Sequence, residues 1–529
     1  MDLFNQQTTV PHLLRNVVKH IHPATNTFLI RKTGNTWEEI SFETTLDNAD
    51  AISSYFLEAG ISKGDRLAFI IENCPEYVYY DQALQQIGCI NTSIYPTLSE
   101  AEIEYILLDS GAKTILVGSP FLLKKVIKIA NHCPDLIRII PVFNDFQKIT
   151  EKAVLNAGVL SLDQVIEEGK NKLNNYSTQI DALRASVMPS DISSLIYTSG
   201  TTGTPKGVML THSNFVENVK VCLEQIPVID ENETFLSFLP LSHVFERTAT
   251  YHVCCAKGCK IAFAQSLELL AKNMGEVKPT VMSCVPRLLE KIHDKAIKGG
   301  TAAGGTKAKI FLWALEVGQK HREVKEAGKS PNFILSAKHS IAEKLVFSKI
   351  KEKTGGRLKF MISGGAALPK NVGEFFGNLG IKILEGFGLT ETSPVISVNV
   401  MKNFGFRIGS VGKVLEGIDV KIAEDGEILC KGPNVMLGYY KDEEKTKEVL
   451  NNGYFHTGDI GEIDADGVYG ALWERSFLLL SLKQKKTRQK WELPGIDSRQ
   501  LVISLKLRDS AIGSRCIRSG GISGGVAGL

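Results

Sequence analysis

From Asp47 to Gly60 apolar side chains return every three or four positions (Ala49, Ile52, Tyr55, Phe56, Ala59), the spacing of a helix that Gly60 stops. Arg66 to Ile71 then reads as a buried strand, Pro75 to Gly88 as a helix, and Cys89 to Ile94 as a strand. Ser99 to Leu107 is again helical and Lys113 to Val117 again a strand. Strands alternating with helices predict an α/β fold of stacked, mostly parallel sheets with helices. Further along, Ile192, Ser194 and Ile196 alternate with Ser193, Leu195 and Tyr197 as in a largely buried strand. Phe215, Val219, Cys222, Leu223 and Ile226 fall on one helical face, with Asn214 and Glu217 as its capping box. Gly299 to Gly305 reads as flexible punctuation. Ile310 to Leu315 and Leu345 to Ile350 carry helical patterns on either side of a basic stretch, which taken alone is a solvated helical insertion. Leu358, Phe360 and Ile362 alternate into a glycine turn, and Pro369 opens a helix after it.

Between the strand ending at Tyr197 and the helix beyond Asn214 lies Thr198-Ser199-Gly200-Thr201-Thr202-Gly203-Thr204-Pro205-Lys206-Gly207. Glycines let the backbone approach an anion, successive N–H groups and hydroxyls can wrap its oxygens, and Lys206 supplies positive charge. A flexible linker is the bland alternative, but its flanks would not be periodic. A Walker loop needs Gly before the lysine and Ser or Thr after it; Pro205 and Gly207 stand there, so that reading fails. A polyphosphate is the anion this loop suits.

Two glycine turns follow later. Ser363-Gly364-Gly365-Ala366 and Glu385-Gly386-Phe387-Gly388 each end a predicted strand, and turns at the ends of neighbouring parallel strands make a crevice. Glycines there admit a flat base and the Phe387 ring can stack on it. Thr390 can bond a phosphate oxygen, and Glu391 can hold a hard cation through oxygen. Asp459 is suited to accept hydrogen bonds from two ribose hydroxyls, although alone it is an acidic turn residue. His243, among apolar neighbours, reads by itself as a packed structural histidine.

Bulk properties narrow the setting. A net charge of +3 on 529 residues gives no reason to expect nucleic-acid binding. Apolar runs fall far short of the ~18 residues of a spanning helix. Met1 to Lys19 has no signal-peptide core, so a cytoplasmic protein is expected, peripheral to membranes where its substrate is a lipid. The cysteines form no C-x-x-C pair; His252, Cys254, Cys255 and Cys259 cluster among apolar neighbours, which predicts buried reduced thiols rather than a metal site. Oligomeric state is left open.

The 197–207 run resembles the phosphate-binding loop of the adenylate-forming superfamily, which includes acyl-CoA synthetases, luciferases and peptide-synthetase adenylation domains. The resemblance is continuous up to Asp464-Ala465-Asp466-Gly467. It implies that Gly365 and Glu385 to Phe387 lie around the adenine of ATP, that Thr390 meets the α-phosphate, and that Glu391 binds Mg2+. It implies Asp459 as a ribose ligand, His243 and Cys284-Val285-Pro286-Arg287-Leu288 as borders of the acyl side, and a small β-barrel from Gly409 to Tyr440. The helices around 310–350 look like those of long-chain fatty acyl-CoA synthetases. The implied reaction is attack of a fatty acid carboxylate on the α-phosphorus of ATP, then transfer of the acyl group to coenzyme A with release of AMP. A ligase for another carboxylic acid and a non-catalytic nucleotide- or lipid-binding descendant are the alternatives.

Past Gly467 the sequence departs from the family pattern. A hinge and a C-terminal lobe bearing a late lysine are expected there. The chain reads instead Val468-Tyr469-Gly470-Ala471, a basic run from Lys483 to Lys490 and a glycine-rich close. The expected division is therefore 1–467, an adenylate-forming domain, and 468–529, a basic, poorly ordered tail without the family's lobe, which would leave this chain impaired in turnover.

Overall fold

Short β-branched and leucine-rich runs, buried on both faces, make the centres of two sheets. In the computed structural model, which describes residues 3–151, 154–199, 204–302, 304–400, 406–464 and 469–471, these belong to one compact unit, Met1–Trp473. The first sheet has eight strands, with Arg66–Ile70, Ile90–Ser93, Thr114–Val117, Arg138–Pro141 and Ile192–Ser199 running parallel to one another. The second has nine, and its parallel centre runs through Lys260–Phe263, Thr234–Ser237, Val281–Cys284, Phe360–Ser363 and Lys382–Gly388. The α/β class and mostly parallel sheets expected from the pattern are borne out.

Several local expectations need correcting. The helix expected from Asp47 to Gly60 runs Phe42–Glu58, because Ser41 caps it by accepting from the Thr44 N–H. The phosphate loop does not pass directly into a helix. Pro205–Thr211 is a strand, antiparallel to Ile192–Ser199 with Thr198 opposite Lys206. The following helix, His212–Gln225, is capped by Thr211, whose hydroxyl accepts from the Asn214 N–H while the Asn214 side chain accepts from the Thr211 N–H. Glu217 takes no part in that box. Gly299 and Gly300 are helical, within Pro286–Ala302, and a Cβ on Gly300 would meet the Phe311 ring at 2.4 Å. There glycine serves close packing; the turn comes at Gly304 and Gly305, both at positive φ. The segment read as a small barrel supplies strands to all three sheets. Lys413–Val414 joins the nine-stranded sheet and Gly438–Tyr439 the eight-stranded one. Asp419–Ile422 and Glu427–Lys431 build a five-stranded antiparallel sheet with Leu450–Asn451, Tyr454–Ile463 and Tyr469–Ala471. Apart from Tyr469–Ala471, the expectations for 468–529 lie outside the described residues.

The two large sheets are tied by a buried ion pair. Arg247 opens a π-helical turn, Arg247–His252, and donates to Asp81 at 2.9 Å, both side chains being fully buried. Tyr251 donates to the other Asp81 oxygen at 2.8 Å and Asn91 to the first at 2.7 Å. Satisfying a buried carboxylate this fully is what makes its burial tolerable.

A cavity where two glycine turns meet

Ser363 and Glu385 stand side by side in parallel strands, so the turns that follow them open together. Gly364 is buried, and a Cβ there would press on the Phe245 ring at 3.2 Å; Gly365 has φ +80° and open space around it. At Gly388 a Cβ would lie 1.7 Å from the Pro394 carbonyl oxygen, so no other residue fits. The turn Thr390–Thr392 is fixed by Thr392, whose hydroxyl accepts from the Leu389 N–H and donates to the Pro394 carbonyl.

These turns border a cavity of about 340 Å3. It gathers His243, Gly364, Gly365, Gly386, Phe387, Gly388, Thr390, Glu391 and Asp459 from the predicted set. Glu385 lies behind it, buried, accepting from the Gly409 N–H at 3.1 Å; burial raises its pKa to about 7 against the pull of that bond. Ala366 is exposed beyond the turn. Asp459 sits on Tyr454–Ile463, and burial, with Glu391 and Glu427 adding repulsion, raises its pKa to about 6. His243 accepts from the Phe245 N–H through Nδ1 at 3.1 Å. Burial lowers its pKa to about 4, so the ring is neutral and carries its proton on Nε2.

The phosphate loop is only partly in view. Gly200, Thr201, Thr202 and Gly203 fall outside the described residues. Thr198 and Ser199 end one strand, Thr204 is exposed, and Lys206 follows on the paired strand. Lys206 reaches the cavity's acid through an intermediary that the sequence reading missed. Its ammonium lies 5.5 Å from the centre of the Tyr439 ring, and the Tyr439 hydroxyl donates to Glu391 at 2.8 Å. Tyr439 is held there by pairing with Val208, and the backbone N–H of Met436 binds the Glu391 carbonyl at 2.8 Å. Burial and the neighbouring carboxylate push the Tyr439 pKa upward, so it remains a donor.

Apolar side chains complete the wall: Cys222, Leu223, Ile226, Ile229 and Val253. The 3–4 spacing that includes Cys222, Leu223 and Ile226 was visible as a helical face, but periodicity cannot tell a core from a cavity. On that face Phe215 and Val219 enter the core, while Cys222 and Leu223 line the hollow. His252, Cys254, Cys255 and Cys259 are all buried, and the Cys259 thiol donates to the Asp230 carbonyl.

This fold is that of adenylate-forming enzymes. The chain belongs to the AMP-binding enzyme family, which matches residues 19–440. It is 31% identical over 432 residues to the long-chain-fatty-acid–CoA ligase FadD15 of Mycobacterium bovis, covering 82% of this chain and 68% of that one. It is 30% identical over 471 residues to the long-chain-fatty-acid–CoA ligase ACSBG2 of Homo sapiens, covering 87% and 68%. Among solved structures, the anthranilate CoA ligase AuaEII in complex with anthranoyl-AMP superposes with a TM-score of 0.66 at 20% identity, over 88% of this chain and 78% of that one. The N-terminal domain of FACL13 from Mycobacterium tuberculosis gives 0.63 at 18% identity, over 88% and 99%. The expected likeness to long-chain ligases is thus borne out.

Proposed function

We propose that this chain activates a long-chain fatty acid, forming an acyl-adenylate from ATP and passing the acyl group to coenzyme A. The observation that carries this reading is one cavity that joins an aliphatic wall (Leu223, Ile226, Ile229, Val253) to Thr390, Glu391 and Asp459. FadD15 and ACSBG2, at 31% and 30% identity, are by name long-chain-fatty-acid–CoA ligases, which supports an aliphatic rather than an aromatic occupant.

A fatty carboxylate is ionised near neutral pH and needs no base before it attacks the α-phosphorus. Asp459 would hold the ribose, the glycines at 364–365 and 386–388 would admit the adenine beside Phe387, and Thr390 would donate to the α-phosphate. Lys206, with the loop from Thr198 to Thr204, would offset charge on the triphosphate and on departing pyrophosphate. Neutral His243, with its proton on Nε2, can donate toward the carboxylate.

A divalent cation fits these residues. Glu391 offers one carboxylate oxygen to Tyr439 and has no protein partner on the other among the described residues. One or two carboxylates with waters and phosphate oxygens are what Mg2+ takes. When bound, it supplies further charge compensation at the phosphates. The thioester step rests in the family on a segment that the sequence beyond Gly467 does not match, so acyl-CoA formation should lag adenylate formation in this chain.

The test is pyrophosphate exchange with magnesium and a series of acids, run beside calorimetric ATP binding. Exchange that is strongest with long aliphatic acids is expected. Exchange with benzoate but not palmitate would replace the substrate. ATP binding without exchange for any acid would favour a non-catalytic binding protein, and absence of ATP binding would end the reading.

A further inference from the structure

The helices between Val281–Cys284 and Phe360–Ser363 of the nine-stranded sheet carry a surface that the ligase reading does not use. Gly305–Glu326 and Phe333–Ala342 form an antiparallel pair, with His321 stacked on His339 at 3.8 Å between ring centres. Their inner sides are conventional core: Phe311, Ala314, Val317, Ala342, Val346 and Phe347 are buried. The outer side is not a conventional solvated face. Phe333 is 87% exposed and Ile334 65%, and Leu312, Ile341 and Leu345 are also exposed. Ile334, Lys338, Ile341 and Leu345 recur at spacings of four, three and four, so three large aliphatic side chains and a lysine share one face that runs past Ala342 into Glu343–Phe347. Isolated exposed apolar residues are ordinary, but a contiguous set signals contact with something apolar.

Charge says what kind of contact. Lys307, Lys309, Lys338, Lys344 and Lys349 are exposed and pair with no carboxylate among the described residues. The acids nearby are occupied: Glu316 with Lys320, Glu326 with Arg322, and Glu343 with Lys351. Uncompensated lysines around bulky apolar side chains make the pattern of a helix that lies in a membrane interface, apolar groups in the acyl boundary and ammonium groups at anionic headgroups. No described helix is long and apolar enough to cross a bilayer, so contact of this kind lies on the membrane rather than through it. The chain's own basic segment is a poor occupant, because between Ala471 and Leu529 the acids are only Glu474, Glu492, Asp497 and Asp509 among many Lys and Arg. We propose that the outer face of Phe333–Ala342 and of the turn Glu343–Phe347 that follows it, centred on Phe333, Ile334, Ile341 and Leu345, is a docking surface for an anionic lipid bilayer.

The proposal is independent of the acid that the enzyme activates, and flotation of the full chain with vesicles tests it without turnover. Phosphatidylcholine vesicles doped with phosphatidylglycerol should carry the protein, pure phosphatidylcholine vesicles should not, and added salt should weaken the association. F333D/I334D/I341D should bind the anionic vesicles roughly tenfold or more weakly, with its pyrophosphate exchange on a short soluble acid unchanged. K338E/K344E should bind weakly as well, and it carries the test if the triple variant fails to fold. Equal binding by wild type and both variants would assign the membrane contact to the cationic stretch from Lys483 to Lys490 and overturn the proposal. So would absence of binding to anionic vesicles. A dimer in vesicle-free solution that F333D/I334D/I341D dissociates would also overturn it, making the face an interface between two copies.

Discussion

Tyr439 donates its phenolic hydrogen to Glu391 at 2.8 Å while the Lys206 ammonium rests 5.5 Å from the centre of the same ring. One aromatic residue thus touches both charges that the proposed reaction needs, an anion through its hydroxyl and a cation through its face. Residues that orient a metal-binding carboxylate typically contribute ~10–100-fold to metal affinity. Tyr439→Phe, which keeps the ring, should therefore raise the magnesium concentration needed for half-maximal exchange about 10-fold, with little loss at saturating metal. Glu391→Gln should lose ~10²–10³ of the exchange rate at any magnesium level. A Tyr439→Phe enzyme with an unchanged magnesium requirement would separate Tyr439 from the metal.

The pKa of Asp459, raised to about 6 chiefly by burial, gives a pH signature. Only its ionised form accepts from both ribose hydroxyls, so ATP affinity should fall as pH drops through about 6, and Asp459→Asn should flatten that limb. The stability effect has the opposite sense. A carboxyl whose folded pKa is raised holds its proton more tightly in the folded state, so it costs stability as pH rises from its ordinary value of 3.8 to about 6. Asp459→Asn should melt about 1–2 °C higher than wild type at neutral pH, since the site is partly solvated. At acid pH the two should melt alike.

Gly388 and Gly365 make a contrast in what a single methyl group costs. At Gly388 the added carbon would sit 1.7 Å from a backbone oxygen, so Gly388→Ala must displace the Thr390–Thr392 turn. It should cost about 3 kcal/mol or more and abolish exchange. At Gly365 nothing lies within 4 Å, and the penalty is only that of a positive φ. Gly365→Ala should cost about 1 kcal/mol and leave a folded protein. Denaturant titration of both variants checks the order.

The aliphatic wall predicts a shift in chain-length preference. Leu223→Trp or Ile226→Trp fills the hollow from the side of the His212–Gln225 helix and its exit. Exchange with palmitate should drop about 10-fold more than exchange with hexanoate, a few methylenes of lost burial being enough for that. Equal losses for both acids would mean that the chain runs elsewhere.

Asp81 and Arg247 are both fully buried and bonded at 2.9 Å. Removing one partner leaves the other charge stranded, which typically costs 3–5 kcal/mol, as an order of magnitude. Asp81→Ala should lower the urea midpoint accordingly, and Asp81→Ala combined with Arg247→Met should recover part of the loss.

Much of this was legible in the chain, and the reasons it was or was not are local. Alternation revealed Ile192–Ser199 and the strand ending at Ser363, because both are buried strands with marked ends. Glycine-rich punctuation revealed the two turns that the cavity joins. Pro205 and Gly207 concealed the strand that carries Lys206, since proline is tolerated at a strand's first residue but reads as loop. Thr211 concealed the true helix start, its capping partner being an asparagine rather than the expected glutamate. Tyr439 had no local signature at all. Its role comes from pairing with Val208, a neighbour that no window along the sequence contains.

Because Tyr439 reaches Lys206 and Glu391 from a strand of only two residues, Gly438–Tyr439, this junction is closed by a part of the chain that leaves the ribosome long after the Lys206 hairpin. Synthesis at ~5–20 residues per second leaves the lysine-bearing hairpin waiting many seconds for its partner. Through that interval a newborn chain can own two nearly complete sheets while Glu391 still lacks the hydroxyl that binds it.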